Sequence, residues 1–318
     1  MPPQYRTYQR HNDLLKLHVI RQAVFESQCY TDVARRHNIH PRTITRWIDE
    51  LAQQLPAHAD FNILHKLNWS GIMVLDGKEL SLPGDSHCCY IAVDADSTDL
   101  IYWAIEDSEN QQSFEFFLTV IRDHLKYPVW AITSDLGRAR CFLAPAATVF
   151  PHARHQACIV HFFGRFFPNM GIVNHKNRDQ HRVLRELLKN TLMASTLLEA
   201  TQWRDYLIAQ RHLFTTAIQK SAINSLLRNF DRYTMHFNEQ NIPRHTNLAE
   251  NIFGRLQHSI AAFRGLPHRT ATYNILKIWF WFYRTTALAN SSIESHKNRS
   301  PLQLNGYLHE PNWLPKRQ

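Results

Sequence analysis

The chain has 318 residues, 44% of them apolar, with a formal net charge of +9. At roughly two units of about 150 residues it is too long for a small peptide, and no apolar run reaches the ~18 residues of a membrane span. The first residues lack the apolar stretch of a secretory signal, and the five cysteines include no C-x-x-C pair, so a cytoplasmic compartment with free thiols is expected rather than a disulfide framework.

Residues 12–28 place Leu14, Leu17, Ile20 and Val24 at helical spacing, which predicts a first helix. A second follows in TDVARRHN, with Thr31 as its expected N-cap. The third opens at Pro41 and carries Ile44, Trp47, Ile48, Leu51 and Leu55 on one stripe. Three short helices with a turn at Asn38–His40 make a helix-turn-helix pattern. Its third helix would meet the major groove of double-stranded DNA through Arg42, Thr43, Thr45 and Arg46. The following stretch, residues 57–69, reads as a linker.

From residue 72 the period changes to short apolar runs: IMVLD, CCYIAVDAD and LIYWAIED, then a helix in QQSFEFFLTVIRDHL and another run, PVWAITSD. A short helix over GRARCFLAPAATVF and a strand entering a helix in HARHQACIVHFF complete the order. Residues 175–240 are almost wholly helical. Within them Arg178, Arg182, Arg185 and Lys189 recur every three or four positions, as in a phosphate-tracking face or a solvated stripe. Trp203 shares helical spacing with Leu198 and Leu207 and reads as core. ILKIWFWFYRTT is apolar nearly all round and is expected to lie buried against the sheet.

Charge is unevenly distributed. Residues 1–59 hold 8 Lys/Arg against 5 Asp/Glu, residues 60–135 hold 4 against 13, and residues 136–318 hold 24 against 9. The basic majority suits a polyanionic partner. Acids in the middle either solvate strand ends or hold a divalent cation. Two apolar runs end in Asp76 and Asp135. On parallel neighbouring strands both would emerge at the carboxyl edge of the sheet, and two carboxylates that close repel unless a cation lies between them. Glu250, in RHTNLAENIFGRLQ, is the one acid between Glu239 and Glu294 and the candidate third oxygen ligand. Asp94 and Asp96 read as turn residues, and Glu79 as a strand-end residue.

Asp76, Asp135, the long helical insertion and Glu250 in HTNLAENIFGRL together resemble the DDE transposases of bacterial insertion sequences. Cys158 and His161 are similar to the C-x2-H signature of Mutator-like transposases, and Thr246, Asn247, Ala249 and Glu250 to the pattern around the family's glutamate. The usual basic residue after that glutamate is absent, since position 257 is Gln. The resemblance implies an α/β, RNase H-like core, a mixed five-stranded sheet with flanking helices, over 70–174 and 241–292, interrupted by the insertion at 175–240. The helix-turn-helix domain, 1–56, would precede it and a tail, 293–318, would follow.

It further implies that Asp76, Asp135 and Glu250 bind two Mg²⁺ or Mn²⁺ ions, about 3.5–4 Å apart, for DNA cleavage and strand transfer. Cys158, His161 and Asn247 would be auxiliary to that site. Synapsis of two element ends would call for a homodimer or larger assembly. A transposase-derived regulator without catalysis, or a nuclease that cuts but does not join, would share these features.

Overall fold

The computed structural model describes residues 12–136, 141–171, 178–239, 241–262, 265–291 and 293–309. The apolar stripes of the N-terminal segment form α1 (Asp13–Val24), α2 (Tyr30–Arg36) and α3 (Pro41–Gln54). Asn12 caps α1 by accepting from the N–H groups of Leu14 and Leu15, and Asn38, at φ 52°, reverses the chain before α3. The second helix starts earlier than expected. Cys29 is its N-cap and Thr31 lies inside the first turn, its hydroxyl 3.1 Å from Cys29 Sγ.

The segment expected as a linker is structured. It folds as α4 (His58–His65), with Phe61 buried against Trp281 and Tyr307 and buried Asn62 accepting a 2.7 Å hydrogen bond from Arg284.

Five strands follow the predicted order. They are β1 (Ile72–Leu82), β2 (Asp85–Asp94), β3 (Leu100–Glu106), β4 (Ala131–Ser134) and β5 (Arg154–Ala157). In space the order is β3-β2-β1-β4-β5, with β1, β4 and β5 parallel and β2 antiparallel to β3. This is the mixed five-stranded sheet with flanking helices that the sequence led us to expect. Helices α5 (Gln111–Thr119) and α6 (Leu143–Val149) cover one face, where Met73, Leu75 and Tyr90 pack with Phe114, Phe117 and Phe142. The β2–β3 turn is held by Asp94, whose buried carboxylate accepts from Ser70, Ser97 and the Tyr127 hydroxyl. Asp94 is thus a structural turn residue, as its position in the sequence implied.

After β5 come α7 (Ile159–Gly171), α8 (Arg178–Leu192), α9 (Leu197–Gln210) and α10 (Ala217–Arg228), then the short α11 (Phe230–Tyr233) and α12 (Met235–Asn238). Phe162, Phe166, Leu184, Leu188, Leu207 and Leu226 form their shared core. Leu207 is buried and half-buried Trp203 packs against the same core while also lining a groove between α8 and α9. Leu198 departs from the sequence reading, at 69% exposed.

The last long helices are α13 (Asn247–Ala262) and α14 (Arg269–Thr285), followed by α15 (Pro301–Leu304). The aromatic run in α14 is buried against other helices. It packs on α1, α3 and α15. Trp281 stacks on His58 with ring centroids 4.5 Å apart, and Lys277 Nζ donates to the Ala52 carbonyl at 2.8 Å. The packing accordingly divides the chain into two units, one of residues 1–68, 79–87 and 252–318, the other of 69–78 and 88–251.

Candidate active site

The three acids singled out by the sequence all belong to the second unit. Leu75 on β1 is in register with Ser134, the last residue of the parallel β4, so Asp76 on β1 and Asp135, just past the end of β4, are the next residues on the two neighbours. Neighbouring strands lie about 4.8 Å apart, and residues in register project to the same side of a sheet. Each carboxylate is oriented by its own backbone: Asp76 Oδ1 accepts from Gly77 N–H at 3.0 Å, and Asp135 Oδ1 from Leu136 N–H at 2.6 Å. Gly77 leaves little room for a side chain, because a Cβ there would lie 3.1 Å from the Tyr90 ring.

Glu250 is in the first turn of α13, where the positive end of the helix dipole favours an acid. Thr246 precedes the helix, fully buried, and its hydroxyl is 2.7 Å from Glu250 Oε1. The same hydroxyl lies 3.1 Å from His161 Nδ1, and His161 Nδ1 is 3.5 Å from Glu250 Oε1. Cys158, buried at the end of β5, receives the N–H groups of Thr246 at 3.3 Å and His161 at 3.5 Å. Arg165, one turn beyond His161 on α7, brings Nη2 to 3.6 Å from Asp135 Oδ1.

These groups shift one another's protonation. Burial drives the Asp76 pKa up to about 7, and the charges of Glu250 and Asp135 add to the rise, against the opposing pull of His161 and the Gly77 N–H. For His161, burial favours the neutral ring, but the hydrogen bond to Cys158 and the carboxylates of Asp135 and Asp76 outweigh it and lift the pKa to about 9. The site therefore holds acids in mutual repulsion beside an imidazolium and a guanidinium.

Candidate ligand atoms of Cys158, His161 and Glu250 all lie within 4.8 Å of one another. They are nonetheless a poor soft-metal site. A protonated imidazole has no lone pair for a metal, and the Cys158 sulfur is already engaged by backbone donors. The oxygen donors Asp76, Asp135 and Glu250 suit a hard divalent cation better, since such an ion relieves the repulsion that raises the Asp76 pKa.

Other residues marked in the sequence lie elsewhere. On α3, Arg42, Thr45 and Arg46 are exposed and Thr43 half-buried, with Arg46 Nε 3.4 Å from Glu50 Oε1. On α8, Arg178, Arg182 and Arg185 are exposed, and the Arg185 guanidinium rests 5.0 Å from the Phe167 ring centre. Asn247 begins α13, half-buried. Two contributors carry no role in the sequence reading, Arg165 and the Thr246 hydroxyl. Spacing held the signal: Thr246 is four residues before Glu250, and Arg165 four after His161, so each pair shares a helical face.

No curated protein shows significant similarity to the chain. Among solved structures, the HTLV-2 integrase catalytic core domain in complex with magnesium, in its dimeric form, is 17% identical, with a TM-score of 0.23 over 52% of this chain and 86% of that one. Residues 33–280 match the family described as "Transposase, Mutator family", a span that takes in the third helix, every strand and all three acids. The chain belongs to the Mutator family of transposases.

Proposed function

We propose that the chain binds the terminal repeats of an insertion sequence, cleaves DNA at their ends and joins the 3′ ends to target DNA. The observation that carries this reading is that Asp76 and Asp135 directly follow the registered pair Leu75 and Ser134, with Glu250 close enough to perturb the ionisation of Asp76. Asp76, Asp135 and Glu250 would hold two Mg²⁺ or Mn²⁺ ions. Such ions, when bound, supply Lewis acidity for phosphoryl transfer to water or to a DNA hydroxyl.

The chain's own residues do the rest. The Thr246 hydroxyl fixes the rotamer of Glu250, and His161 behind it keeps that hydroxyl oriented. The cations of His161 and Arg165 face the region where a phosphodiester would meet the acids, and they favour its negative charge. Exposed Arg42, Thr45 and Arg46, with half-buried Thr43, would read the element ends in the major groove, while Arg178, Arg182 and Arg185 would follow phosphates. Cys158 and Asn247 support the glutamate's helix start. A homodimer or larger assembly would bring two ends together, in the cytoplasm beside the DNA.

The test incubates the protein with Mg²⁺ or Mn²⁺, labelled DNA carrying the element ends, and a target plasmid. Cut ends and joined products are expected from the wild type, and neither from Asp76→Asn, Asp135→Asn or Glu250→Gln. Cut ends without joining would make the protein a nuclease, and DNA binding without any product would make it a regulator.

A further inference from the structure

A groove of about 670 Å³ lies between α7 and α10, beside Leu136, the residue that follows Asp135. Its walls present the cations of Arg165, Lys220 and Arg228 and the amides of Asn169 and Asn224, and among the described residues no carboxylate lines it. The donors come from helical faces. Arg165 and Asn169 are four apart on α7, and Ser221, Asn224, Ser225 and Arg228 follow the spacing of one face of α10. Arg228 and Asn229 also border a second groove, of about 470 Å³, whose walls include Arg154 and Arg232. The two grooves share Arg228 and Asn229 in their walls, and the first is the cationic trough. The second groove is less cationic, since Asp231 lines it and Arg154 is paired with Glu239.

The chemistry of this lining selects its ligand. Cations interleaved with neutral N–H and O–H donors, with Asp135 facing only Arg165, match a row of phosphates. Arg165 joins the trough to the acids through its 3.6 Å approach to Asp135. We infer that the trough holds the sugar–phosphate backbone of the DNA strand that reaches Asp135. This inference rests on the reading of the carboxylate site as the place where DNA is cut.

Lys220 and Arg228 are exposed, so their replacement leaves the core intact. Binding of a fluorescein-labelled DNA duplex to the full chain is followed by anisotropy, without divalent cation, between about 50 and 200 mM NaCl. In Lys220→Ala/Arg228→Ala the slope of log affinity against log salt is expected to fall by about 1.8, at ~0.9 for each lost phosphate contact. Lys220→Arg/Arg228→Lys, which keeps both charges, is expected to restore it. Wild-type slope and affinity in the alanine variant, with unchanged circular dichroism, would overturn the inference.

Calorimetry with Mn²⁺ on the wild type separates the two readings. Mn²⁺ binding with an unchanged slope in the alanine variant removes the trough and leaves the carboxylate site. A reduced slope in a protein that neither binds Mn²⁺ nor cuts DNA leaves the trough as a DNA-binding surface and removes the carboxylate reading.

Discussion

Thr246 has one hydroxyl proton and three neighbours that could accept it: Glu250 Oε1 at 2.7 Å, His161 Nδ1 at 3.1 Å and Cys158 Sγ at 3.3 Å. The charged acceptor at the shortest distance takes it, because hydrogen bonds to ionised groups are the stronger ones. His161, protonated below about pH 9, then donates from Nδ1 to the Thr246 oxygen. The relay runs from imidazolium to hydroxyl to carboxylate, and it leaves Glu250 one preferred orientation. With Glu250 as the metal ligand proposed above, residues that orient it in this way would be worth about 10–100-fold in metal affinity or activity. Thr246→Val keeps the shape and removes the hydroxyl, so Mn²⁺ affinity by calorimetry and cleavage rate are both expected to fall by about that factor. Thr246→Ser should recover both. Wild-type Mn²⁺ affinity in the valine variant would reduce the relay to a packing feature.

At the scale of elements, α14 changes how the N-terminal helices are understood. The sequence marks 1–56 as a self-contained helix-turn-helix, yet α1 and α3 share their apolar faces with α14. The joint is polar as well as apolar: Asn274 donates to Asp49 at 2.8 Å, Lys277 to the Ala52 carbonyl at 2.8 Å and Trp281 to the Pro56 carbonyl at 3.2 Å. Phe25 meets Trp279 and Phe282 with centroids 5.5 and 5.8 Å apart. A fragment of residues 1–68 would expose these surfaces and lose the partners of its backbone carbonyls. It is expected to show no cooperative thermal transition by circular dichroism, whereas the full chain should. A sharp melt of the fragment would mean that α14 is dispensable for those helices.

For the molecule as a whole, acid stability follows from histidines kept neutral. In the second unit burial, with the charges of Arg232 and Arg244 respectively, lowers His155 and His236 to about 4. In the first unit burial holds His58 well below its ordinary value. A histidine depressed in the fold stabilises fully above about pH 6.5, and that contribution is lost as pH falls toward the folded value. Asp76 opposes this, since its raised pKa makes folding more favourable as pH drops from about 7. The depressed histidines outnumber Asp76, so a net loss of stability is expected as pH falls from about 6.5 to 5. Urea midpoints followed by tryptophan fluorescence should therefore decline steeply over that interval. A flat profile would show that the three imidazoles are not held neutral.

Much of this was legible in the chain itself. Runs ending in Asp76 and Asp135, the isolated Glu250 and the switch from helical to strand period gave the fold class and the candidate acids, because local periodicity and residue chemistry are properties of neighbouring positions. Contacts between distant segments were decided only by tertiary structure: the register that sets Asp76 beside Asp135, the burial that raises the Asp76 pKa, and the meeting of Thr246 with Cys158 and His161. The same holds for α14, since an all-round apolar helix states that it is buried but not against what. Its partner is chosen by shape and hydrogen-bond complementarity across more than two hundred residues of chain, which no local pattern encodes.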